Sequence, residues 1–111
     1  MVTSYDDALA AYESAIAKTT GIERKGKTMP YTSANGHMFS QLNKDGEIGV
    51  RLPEGSYEAF LKKHKAAPFT SYGTVMKGYV RVPDKITKNA AALAALLEEG
   101  RDYVMSLKPK K

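Results

Sequence analysis

Tyr31-Thr32-Ser33-Ala34-Asn35-Gly36-His37-Met38-Phe39-Ser40-Gln41-Leu42-Asn43-Lys44-Asp45-Gly46-Glu47-Ile48-Gly49-Val50-Arg51-Leu52 carries the alternation and the turns from which the rest of the architecture follows. It holds two turn signals, Asn35-Gly36 and Asn43-Lys44-Asp45-Gly46. Asn-Gly supplies the positive φ that a two-residue hairpin turn requires at both central positions. With such a turn, Ala34 faces His37, Ser33 faces Met38, Tyr31 faces Ser40 and Met29 faces Leu42. The second turn has two registers. A two-residue Asp45-Gly46 turn sets Ile48 opposite Asn43 and Val50 opposite Gln41. A three-residue loop with Gly46 left-handed sets Leu42 opposite Ile48, Ser40 opposite Val50 and Met38 opposite Leu52. The second gathers the apolar residues on one face, whereas a one-residue slip inverts them. The three-residue loop is therefore expected.

The outcome is a three-stranded meander over about residues 28–34, 37–43 and 47–52. One face carries Met29, Tyr31, Met38, Leu42, Ile48, Val50 and Leu52. The other carries Thr28, Thr32, His37, Phe39, Gln41, Glu47 and Arg51. This alternation is that of an antiparallel sheet with one wet side.

Upstream, Tyr5, Leu9, Tyr12 and Ile16 recur at helical spacing behind Ser4 and the acidic pair Asp6-Asp7, which suits the positive end of a helix over 4–18. Downstream, Pro53-Glu54 opens a helix over 54–65 with Tyr57, Phe60 and Leu61 as its stripe, and Ala66-Ala67-Pro68 stops it. A short extended piece at Phe69–Tyr72 and a strand over 75–82 follow. In that strand Met76, Val80 and Val82 point one way, and Lys77, Tyr79 and Arg81 the other. A last helix over 88–107, capped by Thr87 or Asn89, presents Leu93, Leu96, Leu97, Val104 and Leu107. Gly100 interrupts its pattern and marks a kink, a close helix–sheet contact or a frayed break. The expected fold is α+β: a single antiparallel sheet of about five strands with helices packed on one face, in the order α-β-β-β-α-β-β-α. The 111 residues suit one domain spanning 1–111, with a flexible basic tail at 108–111.

Composition narrows function. Hydrophobic residues make up 42% and charged residues 26%, the balance of a folded globular chain and not a disordered one. No apolar run approaches the ~20 residues of a membrane-spanning helix, so no membrane contact is expected. The absence of cysteine removes disulfides, thiolate zinc sites, iron–sulfur clusters and cysteine nucleophiles. Met1 to Lys18 is acidic and amphipathic, unlike a secretory leader, and a cytoplasmic location is expected.

The net charge is +5 and unevenly spread. Residues 1–23 hold one cation against four anions, and residues 24–85 eleven against five. For a small domain such a charge serves solubility; concentrated in the middle of the chain, it also suits an anionic partner. The residue types for catalysis do not converge. His37 lies beside a hairpin turn, and His64 among lysines near a helix end. Asp6-Asp7 and Glu98-Glu99 are neighbours on helices, where adjacent side chains diverge. No metal-ligand spacing and no glycine-rich phosphate loop is present, so no cofactor, metal or catalytic residue is assigned.

Binding is the better reading. The wet side of the sheet is expected to collect Phe39, Arg51, Lys77, Tyr79 and Arg81, and Arg24, Lys25 and Lys27 precede the first strand. Rings interleaved with cations suit bases and phosphates, at about 1–3 kcal/mol per stacked base. They equally suit the contact surface of a homodimer or a protein partner, and they are also the ordinary makeup of a solvated sheet face. Three function classes stay open. The first is a non-enzymatic interaction module, the second a nucleic-acid-binding domain using Arg24, Lys25, Lys27, Arg51, Lys77, Tyr79 and Arg81, and the third a small enzyme centred on His37.

The runs Lys27-Thr28-Met29, Asn35-Gly36-His37-Met38-Phe39, Lys44-Asp45-Gly46, Val50-Arg51-Leu52, Pro68-Phe69 and Met76-Lys77-Gly78-Tyr79-Val80-Arg81-Val82-Pro83 resemble the TfoX N-terminal domain family over about residues 22–105. Where that family has a glycine pair in its first strand, this chain has Met29-Pro30-Tyr31-Thr32. The resemblance implies a compact α+β domain. The family takes its name from regulators of DNA-uptake competence, and its pattern contains no catalytic residues. A role in regulation by contact with a partner macromolecule is what the resemblance implies.

Overall fold

The first helix, α1 (Tyr5–Lys18), buries Ala8, Tyr12, Ala15 and Ile16. Tyr5 and Leu9 pack at the margin of the same stripe. The computed structural model describes residues 5–26, 30–44, 46–71 and 73–108. Ser4, Lys27, Thr28, Met29, Asp45, Tyr72 and the tail beyond Lys108 lie outside the described residues, and so do the expectations placed on them.

Three strands follow: β1 (Tyr31–Ala34), β2 (His37–Leu42) and β3 (Ile48–Arg51). Asn35 and Gly36 both take positive φ, 56° and 80°, and join β1 to β2 by the expected two-residue turn. Ala34 faces His37 and Ser33 faces Met38. Beyond that the register departs from expectation. A bulge between Thr32 and Ser33 sets Thr32 against Ser40 and Tyr31 against Gln41, not Tyr31 against Ser40. The cause lies on another element. Ser40 Oγ bonds both Thr32 Oγ1 and the Tyr12 hydroxyl of α1, the latter at 2.6 Å. Satisfying these buried hydroxyls together turns Thr32 inward, where the period-two reading had it on the wet side.

The second hairpin has the three-residue loop. Leu42 faces Ile48 and Ser40 faces Val50, with Gly46 left-handed at φ 80°. Asn43 pins it: its Oδ1 accepts from Glu47 N at 2.9 Å and its Nδ2 donates to Thr70 O at 2.9 Å.

α2 (Glu54–His64) starts after Pro53 and ends on Lys65, which is left-handed at φ 50°. It carries the chain to β4 (Pro68–Ser71), which hairpins into β5 (Thr74–Arg81). β5 inserts beside β3, so the antiparallel sheet runs β1-β2-β3-β5-β4. A single turn, α3 (Asp84–Thr87), where the sequence suggested only a connection, leads to α4 (Ala90–Met105). Asn89 caps α4 by accepting from Ala92 N at 3.1 Å.

The core joins alternate strand positions to the helices. Leu42, Ile48, Val50, Val80 and Val82 meet Ala8, Tyr12 and Ile16 of α1 and Leu93, Leu96 and Leu97 of α4. Each fully buried aliphatic side chain here contributes about 1.5–3 kcal/mol of transfer free energy. Gly100 explains itself as a close contact. A β-carbon there would lie 3.0 Å from both Arg51 O and Val50 Cγ1, and 3.3 Å from Phe39 Cδ2.

Candidate functional site

The intervening strand positions are not an open aromatic–basic surface. Phe39 is fully buried and Tyr79 is 6% exposed, which corrects the expectation that both rings face solvent. Two features bury Tyr79. Gly49, opposite Gln41 and Arg81 in the sheet, leaves a gap that the Phe69 ring fills. Phe69 in turn covers Tyr79, with ring centroids 6.2 Å apart. The Tyr79 hydroxyl donates to Met38 O at 2.6 Å, and burial pushes its pKa up to about 12 against the opposing field of Arg51. Neither ring is free to stack on a base.

The expected cations divide among separate places. Arg24 is exposed with its Nε 3.6 Å from Glu13 of α1. Lys25 bridges Tyr31 through the backbone, and its Nζ donates to Ser33 Oγ at 3.2 Å. Arg81 pairs with Glu47 at 3.0 Å. Arg51 and Lys77 alone among these come together, in one cleft of about 580 Å³.

Local structure builds this cleft in a definite order. β3 delivers Arg51 at its last residue, and the β3–α2 junction places Leu52 as the floor. Pro53, extended at ψ 154°, starts α2 so that Glu54, Tyr57 and Glu58, spaced i, i+3 and i+4, face one way. Gly78 sits in β5 with φ 83°, a conformation L side chains rarely adopt, and its carbonyl accepts from Leu52 N at 3.1 Å. Lys77 is exposed beside it. Tyr103 of α4 closes the cleft from the other side.

Arg51 is the best-held charge in it. Its guanidinium carbon lies 5.4 Å from the centroid of the Tyr103 ring, a cation–π contact. Among the described residues no carboxylate pairs with it. The cleft therefore has a cationic wall on the sheet (Arg51, Lys77), an anionic wall on α2 (Glu54, Glu58), and the rings of Tyr57 and Tyr103. Sequence reading singled out Arg51 and Lys77 but missed these partners. Tyr57 read as core, and the signal for Tyr103 was its place one helical turn after the sheet-contacting Gly100.

A second groove, about 530 Å³, runs between α2 and α4 and is lined by Phe60, His64, Ile86 and Leu96 among others. His64, which the sequence places among lysines near a helix end, is half-buried. Its ring lies tilted against that of Phe60, with centroids 4.5 Å apart, and its buried Nδ1 has no partner among the described residues. Desolvation first, then Lys85 and Lys63, lower its pKa and favour the neutral ring. His37 Nε2 donates to the carbonyl of Lys108 at 2.8 Å. Among the described residues no three His, Cys, Asp or Glu side chains are grouped to hold a metal, and no helix is long and apolar enough to cross a membrane.

Comparison with protein-family models, with curated proteins and with solved structures gives no match to this chain.

Proposed function

We propose that the chain is a non-enzymatic interaction module whose working surface is the Arg51–Tyr57–Lys77–Tyr103 cleft. Its ligand is a segment of a partner protein that carries both signs of charge. The observation that supports this reading is the Arg51 guanidinium, oriented on the Tyr103 ring with no carboxylate partner among the described residues and set across from Glu54 and Glu58. Such an arginine is preorganised for a carboxylate, since the ring restrains it before the ligand arrives. The two glutamates then select a cation on the same ligand and disfavour a purely anionic one. The resemblance to the TfoX N-terminal domain family implies a role of the same kind, regulation through macromolecular contact. Nucleic-acid binding has less support, because Phe39 and Tyr79 are buried and Arg24 and Arg81 face acidic neighbours.

The test is selection of binding peptides from a displayed random library, followed by NMR mapping of the bound surface. Peptides with paired acidic and basic positions are expected, shifting Arg51, Tyr57, Lys77 and Tyr103. Arg51→Glu should weaken them by about tenfold or more, which corresponds to about 1.4 kcal/mol. Peptides that map elsewhere, or binding indifferent to Arg51→Glu, overturns the reading. So does tight binding of a DNA duplex that weakens steeply with salt.

A further inference from the structure

The turn that joins β1 to β2 also holds the end of the last helix. Asn35 Nδ2 donates to Val104 O at 3.0 Å and to Leu107 O at 2.8 Å. Both side-chain amide hydrogens are thereby used on carbonyls in the last turn of α4 and just past its end, Val104 O also accepting from Leu107 N at 3.2 Å. His37 adds its bond to Lys108 O one residue beyond.

Asn35 is followed by Gly36, and this pairing has a chemistry of its own. The Gly36 backbone nitrogen can attack Asn35 Cγ, because glycine has no side chain to obstruct the approach. A C–N bond forms, the side-chain amide nitrogen leaves as ammonia with the proton from Gly36 N–H, and a five-membered succinimide results. Solvent water then opens either carbonyl, giving aspartate or isoaspartate. The net change consumes one water and releases one ammonia. In a two-residue turn the Gly36 N–H takes no part in the strand ladder, so folding does not occupy the nucleophile. The electrophile is what the fold restrains: two hydrogen bonds fix the Asn35 amide, and φ 56° fixes its backbone.

We propose that Asn35-Gly36 is a spontaneous deamidation site held shut by α4, and that reaction there permanently releases the helix end. The product explains the release. A carboxylate at position 35 offers no donor to Val104 O or Leu107 O, and sets a negative charge against the negative end of the helix dipole. In isoaspartate the main chain gains a methylene as well, which the two-residue turn cannot accommodate. The site is closed while the last turn of α4 is docked and opens as it frays, the low-stability end of the helix being the part that opens first.

The chain contains its own controls, Asn43 before Lys44 and Asn89 before Ala90. The experiment ages the full-length protein at neutral pH in buffer and in guanidinium chloride, and follows each asparagine by peptide mass spectrometry with separation of the isoaspartyl product. Asn35 should convert several-fold faster than Asn43 and Asn89 in denaturant, and several-fold slower in buffer than in denaturant. Equal rates at the three asparagines in denaturant overturn the site; equal rates at Asn35 in both solvents overturn the protection by α4. In a second arm, Asn35→Asp should accelerate amide exchange at 104–107 by about tenfold relative to the unmodified chain, with Asn89→Asp leaving those amides unchanged. Unaltered exchange in Asn35→Asp overturns the release. If that variant does not fold, the ageing kinetics of the natural chain decide the matter alone.

Discussion

The ring of Phe69 on β4 lies against Gly49 on β3, in the space where any other residue would have its β-carbon. A β-carbon at 49 would stand 2.7 Å from Phe69 Cδ1 and closer still to Cγ. The edge strand is thus locked to the sheet's interior across an intervening strand, since β5 runs between them.

Gly49→Ala should therefore be destabilising, although alanine is a small residue and the position is a strand interior where glycine itself is weak. Overpacking costs about 1–3 kcal/mol. The midpoint of urea unfolding should fall, and Gly49→Ala combined with Phe69→Leu should lose less than the two single changes summed, because the clash disappears with the ring.

Two glycines on helices give a paired comparison. Gly100→Ala gains up to ~1 kcal/mol of helix propensity but pushes a methyl group to within 3.0 Å of Arg51 O and Val50 Cγ1. Backbone cannot yield as a side chain tip can, so the net effect should be a loss of stability. Gly55, in α2, has nothing within 4 Å of its missing β-carbon. Gly55→Ala should raise the melting temperature. Thermal unfolding of the two variants side by side checks both signs.

Alkali should weaken the fold through its buried phenols. A tyrosine in an unfolded chain ionises near pH 10. Burial raises Tyr79 to about 12 and lifts Tyr12 further, against the lowering effect of its bonds to Ser40 and Thr32. Above about pH 10 the unfolded chain has shed protons that the folded chain retains, so stability falls as pH rises. The contribution of both groups is complete below about pH 10 and is lost progressively toward about pH 12 and beyond. Denaturant midpoints measured through that range should decline, and Tyr79→Phe should flatten the decline while lowering the plateau at neutral pH.

The cap of α4 rests on an acceptor, not on an amide. Asn89→Ala should cost about 1 kcal/mol, whereas Asn89→Asp should cost little, since aspartate keeps the acceptor for Ala92 N and adds charge suited to a helix N-terminus. Chemical denaturation of the two variants distinguishes capping from loss of bulk.

How much of this was legible follows from where each cause lies. The Leu42–Ile48 register could be read because its cause is local: one loop, one apolar face, and a slip that would invert it. The helices α1, α2 and α4 were legible for the same reason, their periodicity being internal to each segment, while the single turn of α3 was not. The Thr32–Ser33 bulge was not, because its cause is the Tyr12 hydroxyl arriving from α1. The position of β5 between β3 and β4 depends on Gly49 receiving Phe69, a fit between residues twenty positions apart. The same fit defeated the reading of Tyr79 as exposed: Lys77-Gly78-Tyr79-Val80-Arg81 alternates like a wet strand until a second ring covers it. At the cleft, Arg51 and Lys77 were visible as charges, but Tyr103 reaches Arg51 from a helix more than fifty residues later.

The pairing of α1 with α4 in one apolar cluster has a consequence for synthesis. As the polypeptide leaves the ribosome, Ala8, Tyr12 and Ile16 lack part of their surroundings until Leu93, Leu96 and Leu97 emerge. The nascent chain carries an amphipathic segment with a partly filled stripe until α4 is made, and completes this interior only then.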